Sequence, residues 1–245
     1  MLAGMSTSTR SSCWLLVAAI SFNSSACSDT QLETSSSRVL SVEAPNTSPA
    51  EPALPNLAPT QDDLPKVGIL GDNIASGQYL AQEQAFPSIL QRRLRGRGAS
   101  FALINASVSG DTTGGGLRRV DWLLKQQPAV VVIELGENDV SQAVPVTTIE
   151  SNLRAIVSKL RAAKVKPLLL GAIVPNHGAA DYARALDAMY ARLAAEPGTA
   201  FVPRFMEGVA GHRELTLPDG VQPTPEGHER IAGNLAEPLR LLIQD

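Results

Sequence analysis

Beyond position 27 the chain has no cysteine: Cys13 and Cys27 both fall near the start of its 245 residues. The rest has no thiol for a disulfide or a soft-metal site, so its stability must come from packing. Blocks of one charge sign are also missing. Lys plus Arg number 21 against 24 Asp plus Glu, with no basic stripe interleaved with aromatics, which argues against a nucleic-acid partner. The apolar run CWLLVAAI is about half the ~20 residues that span a bilayer, so a transmembrane helix is not expected. The three histidines and the carboxylates lack metal-ligand spacing, so neither a metal nor another cofactor is expected. No internal repeat is evident.

What the N-terminus does have is order. Arg10, the run CWLLVAAI and the small-residue stretch FNSSAC follow one another as in a signal peptide. Ser25-Ala26-Cys27 resembles the end of a bacterial lipobox, in which cleavage falls just before a cysteine that becomes lipid-modified, although Ser24 stands where leucine is usual. Residues 1–27 are therefore read as a signal peptide with lipidation at Cys27, ordinary cleavage being the alternative. Either places the domain outside the cytoplasm, in the bacterial periplasm or at the outer membrane, with a lipid anchor as its only membrane contact; the remaining alternative is a coincidental apolar start, which does not. Residues 28–65 are rich in Ser, Thr, Pro, Ala and Glu and carry no apolar period. They are expected to form a disordered tether, because too little apolar surface is available to offset ordering entropy.

From residue 66 to 245 short β-branched runs alternate with amphipathic stretches. The runs KVGIL, FALINA, AVVVIEL, PLLLGAI and TAFVP are apolar at almost every position, as strands of a parallel sheet covered on both faces are. Between the third and fourth, Thr147 and Glu150 suggest a capping box ahead of Leu153, Ile156, Val157 and Leu160 at helical spacing. The alternation predicts an α/β domain with helices on both faces of the sheet. Ligands on such sheets bind beyond the carboxyl ends of the strands, and four polar clusters fall there: GDNIASG, NASVSGDTTGGG, GENDV and DGVQPTPEGHE.

These four blocks, in this order, resemble those of the SGNH or GDSL hydrolases, and most nearly the thioesterase/lysophospholipase and arylesterase branch. The resemblance implies a three-layer α/β/α, flavodoxin-like fold with about five parallel strands, and esterase-like chemistry on a small acyl or ester ligand. It puts Asn73 at the position of the nucleophilic serine, with Asp72 preceding it. Gly110 matches the glycine whose N–H serves the oxyanion hole, and Asn138 the asparagine that is its other donor. Asp219 matches the aspartate that orients the base, while Gln222 stands where the family has its histidine.

The two replaced residues are the ones that move protons and make the acyl bond. A carboxamide is not an activated nucleophile, and a glutamine has no pKa near neutrality with which to act as base. Triad members act as a unit, so these losses predict a pseudoenzyme with a retained pocket for an acyl, acetyl or carboxylate group. The alternative is a weak esterase or thioesterase using a displaced nucleophile, Ser76 or Ser109, or a polarised water. His177 falls where the family often has a tyrosine beside the cleft. His212 is expected to be solvated and His228 to pack in the first turn of the last helix.

Asn73 also reads as a helix N-cap, and Gly110 and Gly114 to Gly116 as turns of positive φ. Hydrogen-bond inventory further suggests a chain in which Gln222 donates to Asp219 and accepts from Asn73.

Overall fold

The computed structural model describes residues 63–172 and 180–244. Residues 1–27 with Cys27, nearly all of the 28–65 tether, and His177 lie outside the described residues. In chain order the elements are β1 (Lys66–Gly71), α1 (Asn73–Ser76), α2 (Phe86–Arg95), β2 (Ala102–Asn105), α3 (Thr113–Leu124), β3 (Val130–Glu134), α4 (Glu137–Ser141), α5 (Val146–Ala162), β4 (Lys166–Leu170), α6 (Ala180–Ala194), β5 (Ala200–Val202) and α7 (Pro225–Gln244). Each of the five apolar runs is a strand.

The strands form one parallel sheet in the order β2-β1-β3-β4-β5. From β1 the chain first steps to β2 and then returns to place β3 on the other side, so the order reverses at β1 and β3. A doubly wound sheet opens its ligand crevice at such a reversal. The two central strands end side by side, with Gly71 paired to Glu134. The residues that follow them, Asp72-Asn73 and Gly136 to Asp139, are thereby delivered to the same place.

Both faces of the sheet are covered. Val130 and Val132 of β3 point into one core, with Phe86, Leu90 and Leu94 of α2 and Ile231, Leu235 and Leu239 of α7. Val131 and Ile133 point into the other, with Val120 and Leu123 of α3, Ile149, Leu153, Ile156 and Leu160 of α5 and Met189 of α6. This two-residue alternation within a wholly apolar run is what a strand buried on both sides requires. Each such side chain, fully buried, contributes roughly 1.5–3 kcal/mol.

Three local expectations need correction. Helix α5 begins at Val146 behind Pro145, whose extended backbone sets the entry, and no side chain caps it. Thr147 is thus already inside the helix, and Glu150 instead pairs with Arg154 and Arg192. Residue Asn73 is the first residue of α1 and not its cap; Asp72 occupies the cap position without a side-chain capping bond. Of the glycines, Gly110 does have positive φ, at 80°, but Gly114 to Gly116 open α3 with helical backbone. Gly115 and Gly116 are needed there for close approach, because a Cβ would strike Asp111 and Leu135.

Candidate functional site

The loops after β1, β2 and β3 meet above the central strands. Gly71 gives way directly to the one-turn helix α1, which places Asn73 on the crevice. Glu134, the last residue of β3 and 3% exposed, holds that turn: its Oε2 accepts the backbone N–H of Asp72 and of Ala75, each at 3.1 Å. The loop after β2 is braced from below by Arg119 of α3. Its guanidinium donates to the carbonyls of Gly71 and Ala106, both at 3.2 Å, and pairs with the carboxylate of Asp111. One side chain thereby ties the ends of β1 and β2 to the loop that carries Gly110.

After β3, Gly136 turns the chain with φ of 123°. A Cβ there would lie 2.7 Å from the Tyr190 hydroxyl, which itself donates to the Leu135 carbonyl at 3.0 Å. Asp139, buried beneath, accepts from the backbone N–H and the hydroxyl of Thr113 at 2.7 and 2.6 Å. These contacts set the position of Asn138 between them.

Asn73, Gly110 and Asn138 come together as one cluster. The Asn73 Oδ1 accepts the backbone N–H of Gly110 and the hydroxyl of Ser109, the latter at 3.1 Å. Its Nδ2 donates to Asn138 Oδ1 at 3.4 Å, and Asn138 Nδ2 donates to the Asp111 carbonyl at 2.9 Å. The Gly110 N–H, the Ser109 hydroxyl and the Asn138 amide are thus engaged within the protein, with a side-chain carbonyl, that of Asn73, lying on Gly110. Ser76 turns back along its own helix to the Asn73 carbonyl at 2.9 Å.

The chain linking Asp219, Gln222 and Asn73 is not formed. Asp219 Oδ1 instead accepts the backbone N–H groups of Val221 and Gln222, both at 2.9 Å. A short acidic side chain can close such a turn on its own backbone without a partner across the cleft. The Gln222 side chain is buried and lies close enough to Glu137 to counter part of the rise in that group's pKa.

Glu137 is the residue the sequence reading missed. It is 8% exposed and its Oε2 has no hydrogen-bond partner. Burial raises its pKa, the charge of Asp219 raises it further, and the Gln222 amide works in the opposite direction. Asp72 is fully buried, and its carboxyl is pushed up to about 7, first by burial and then by Glu137. Neither of its oxygens has a well-aligned partner, although Glu134 and the N–H groups of Asn73 and Ile74 lie nearby. Burial, and then the charge of Asp72, also raises Glu134 well above the carboxylate range. Of these carboxylates Glu134 and Glu137 line a tight crevice with Ile74, Leu135, Leu170 and Phe205, while Asp72 and Asp219 act on them as neighbouring charges. A visible signal was the charged residue following Gly136 at the end of a wholly buried strand.

The other histidines are structural or exposed. Nδ1 of the buried His228 accepts the backbone N–H of Phe86 at 3.1 Å, and its ring lies parallel to that phenyl ring. Burial lowers its pKa to about 4, as a neutral acceptor requires. His212 sits on the surface beside Glu214. Among the described residues no group of His, Cys, Asp and Glu has the arrangement of a metal site.

A parallel sheet with this strand order, four polar loops at its carboxyl ends and a Gly–Asn donor cluster defines a class. Residues 69–230 match the GDSL-like Lipase/Acylhydrolase family, and the chain belongs to it. Over 176 residues it is 37% identical to esterase TesA of Pseudomonas aeruginosa, covering 71% of this chain and 88% of that protein. It is 34% identical to an arylesterase of Vibrio mimicus over 71% of this chain and 88% of the relative. Identity is also 34% to thioesterase 1/protease 1/lysophospholipase L1 of Escherichia coli K12, over 71% and 83%. The crystal structure of TesA superposes with a TM-score of 0.70 at 36% identity, covering 72% of this chain and 99% of that one. The psychrotrophic esterase EstA from Pseudoalteromonas sp., solved with monoethylphosphonate as inhibitor, superposes with a TM-score of 0.69 at 30% identity, covering 74% and 99%.

Proposed function

We propose that this domain binds the carbonyl of an acyl or acetyl group and does not cleave it. The observation that carries the reading is the Asn73 carboxamide, whose oxygen lies on the Gly110 N–H and the Ser109 hydroxyl. A neutral carbonyl is therefore already accommodated by these donors, from a residue that cannot attack an ester. Gln222 removes the base as well, and a triad lacking both nucleophile and base retains only what binding and oxyanion donors supply. The surrounding carboxylates disfavour an anion, so a neutral ester, thioester or amide carbonyl suits the site better than a free carboxylate.

A second reading, slow hydrolysis by a polarised water, has one observation in its favour. Glu137 is a buried carboxylate of raised pKa next to Asn138, and such a group can accept a proton from water. Turnover of a chromogenic short-chain ester separates the two readings, with Asn138→Ala as control. Equal, background-level rates are expected. A wild-type rate well above background that falls with Asn138→Ala would overturn the non-hydrolytic reading.

The signal-like order of the N-terminus supports export, with the domain tethered through a lipid on Cys27. Mass spectrometry of the mature protein from the membrane fraction tests this. A soluble chain beginning elsewhere than Cys27 would contradict it.

A further inference from the structure

In a parallel sheet every connecting helix runs back from the crevice to the edge where the strands begin. The last turns of α2, α3 and α5 therefore gather at that edge with the first residues of the strands. Helix α7 runs the same way: Lys166, at the start of β4, donates to the Leu242 carbonyl near the end of α7 at 3.1 Å.

This edge collects cations. Arg95 and Arg97 stand at the end of α2 ahead of β2, Lys66 opens β1, Lys125 follows α3, and Lys164 follows α5 just ahead of β4. From β2 across to β4 the sheet spans three strand spacings, roughly 14 Å. Arg95, Arg97, Lys125 and Lys164 are exposed. Besides Asp63, the acidic side chains described here, Asp121, Glu196 and Glu237, hold Lys159, Arg161 and Arg240. Helix dipoles favour cations in last turns, but that effect fades beyond the turn. It does not explain Lys66 at a strand start. Nor does it explain Lys164, which stands past α5 with φ of 60° where glycine is the usual helix end.

Two of the exposed large apolar side chains lie at the same edge. Trp122, 53% exposed, is in the last turn of α3, and Leu241, 50% exposed, is in the last turn of α7. Basic residues around an exposed tryptophan suit the boundary between lipid and water. The carboxylates Glu134, Glu137 and Asp139 cluster at the opposite edge, and the whole chain carries a formal charge of −3. Attraction to an anionic surface would therefore come from this edge and not from net charge. Residues 28–65 also join the domain here, at Lys66, so a chain held at Cys27 presents this edge first.

We propose that the strand-start edge docks on an anionic phospholipid surface, with Arg95, Lys125 and Lys164 among the headgroups and Trp122 at the interface. The crevice then faces away, about 17 Å distant along β1. This contact is additional to the expected lipid at Cys27 and does not require it.

The test uses the full chain carrying Trp14→Phe and Cys27→Ser, which bears no lipid there and keeps Trp122 as its single tryptophan. Co-sedimentation and tryptophan emission are measured with vesicles of phosphatidylcholine alone and with about 30% phosphatidylglycerol added. Binding is expected to the anionic vesicles only, with a blue shift of Trp122, and should be lost at about 0.5 M NaCl through screening. Lys164→Gly suits the positive φ and leaves the fold intact; it should weaken binding about fivefold, the worth of one cation near such a surface. Arg95→Gln, Lys125→Gln and Lys164→Gln together should weaken it on the order of 100-fold. Arg184→Gln, Arg204→Gln and Arg213→Gln, the same charge change on exposed residues of the crevice side, should change it by less than about threefold.

Equal binding to both kinds of vesicle, or binding to neither, would overturn the proposal. So would equal losses in the two triple variants, or binding without a shift of Trp122, which would put another face on the membrane. Oligomers in vesicle-free sedimentation that the first triple variant dissolves would assign the edge to a second copy instead. A lipid on Cys27 of the mature protein bears on the tether alone: found without any vesicle preference, it keeps the tether and removes the docking edge.

Discussion

The side-chain oxygen of Asn73 accepts the backbone N–H of Gly110, while the Asn73 amide nitrogen reaches Asn138. Asn73 thereby joins the loops after β1, β2 and β3 through its side chain. Asn73→Ala should free the Gly110 N–H, and its hydrogen exchange should speed up by about five- to tenfold, the worth of one net hydrogen bond. An unchanged exchange rate would show that the contact is not formed in solution.

Gly110 has φ of 80°, and a Cβ placed on it would meet nothing within 4 Å. The cost of Gly110→Ala is therefore conformational, about 1–2 kcal/mol. For a domain of this size that is a fall in Tm of roughly 2–8 °C, readable by thermal denaturation. A neutral effect would mean that the loop relaxes to negative φ.

Much of this was legible from residues alone. The five strands were visible because Val130 to Ile133 and Leu168 to Leu170 are apolar without a break, and only a strand covered on both faces uses such a run. Asn73, Gly110 and Asn138 were singled out by the resemblance of their blocks to those of the SGNH hydrolases, and their loops leave the same carboxyl end of the sheet. What escaped was whatever depends on competition between polar partners. Asp219 closes on its own backbone, because a nearer donor takes precedence over a distant partner, and Gln222 makes no bond to either Asp219 or Asn73 through its side chain. The start of α5 was misplaced because Pro145 set the entry geometry that Thr147 and Glu150 were expected to set.

Asp72 predicts an inverse dependence of stability on pH. Its folded pKa of about 7 lies above the ordinary 3.8, so between these values the folded state holds a proton that the unfolded state has released. Stability contributed by the protonated form is therefore lost as pH rises from about 4 to about 7. Glu134, Glu137 and Arg119 face the group. Asp72→Asn should gain on wild type across this window by on the order of 2–4 kcal/mol, measured as the difference in urea unfolding at the two ends. A difference that is flat with pH would refute the assignment.

Glu134 anchors α1 through two backbone N–H groups on one oxygen. Glu134→Gln keeps a carbonyl that can accept both and should cost under about 1 kcal/mol. Glu134→Ala leaves two buried donors without a partner and should cost about 2–5 kcal/mol. Chemical denaturation of the two variants reads the contrast; equal losses would mean that the charge, and not the acceptor, holds the turn.

The central claim is that hydrolysis is absent because Asn73 and Gln222 stand at the positions of nucleophile and base. The most direct measurement is kcat/KM toward a chromogenic short-chain ester for wild type, Asn73→Ser, Gln222→His and the double variant. Since nucleophile and base act together, wild type and both single variants should stay near background and the double variant should be clearly more active than either. A wild type already as active as the double variant would reveal another catalytic group and contradict the account.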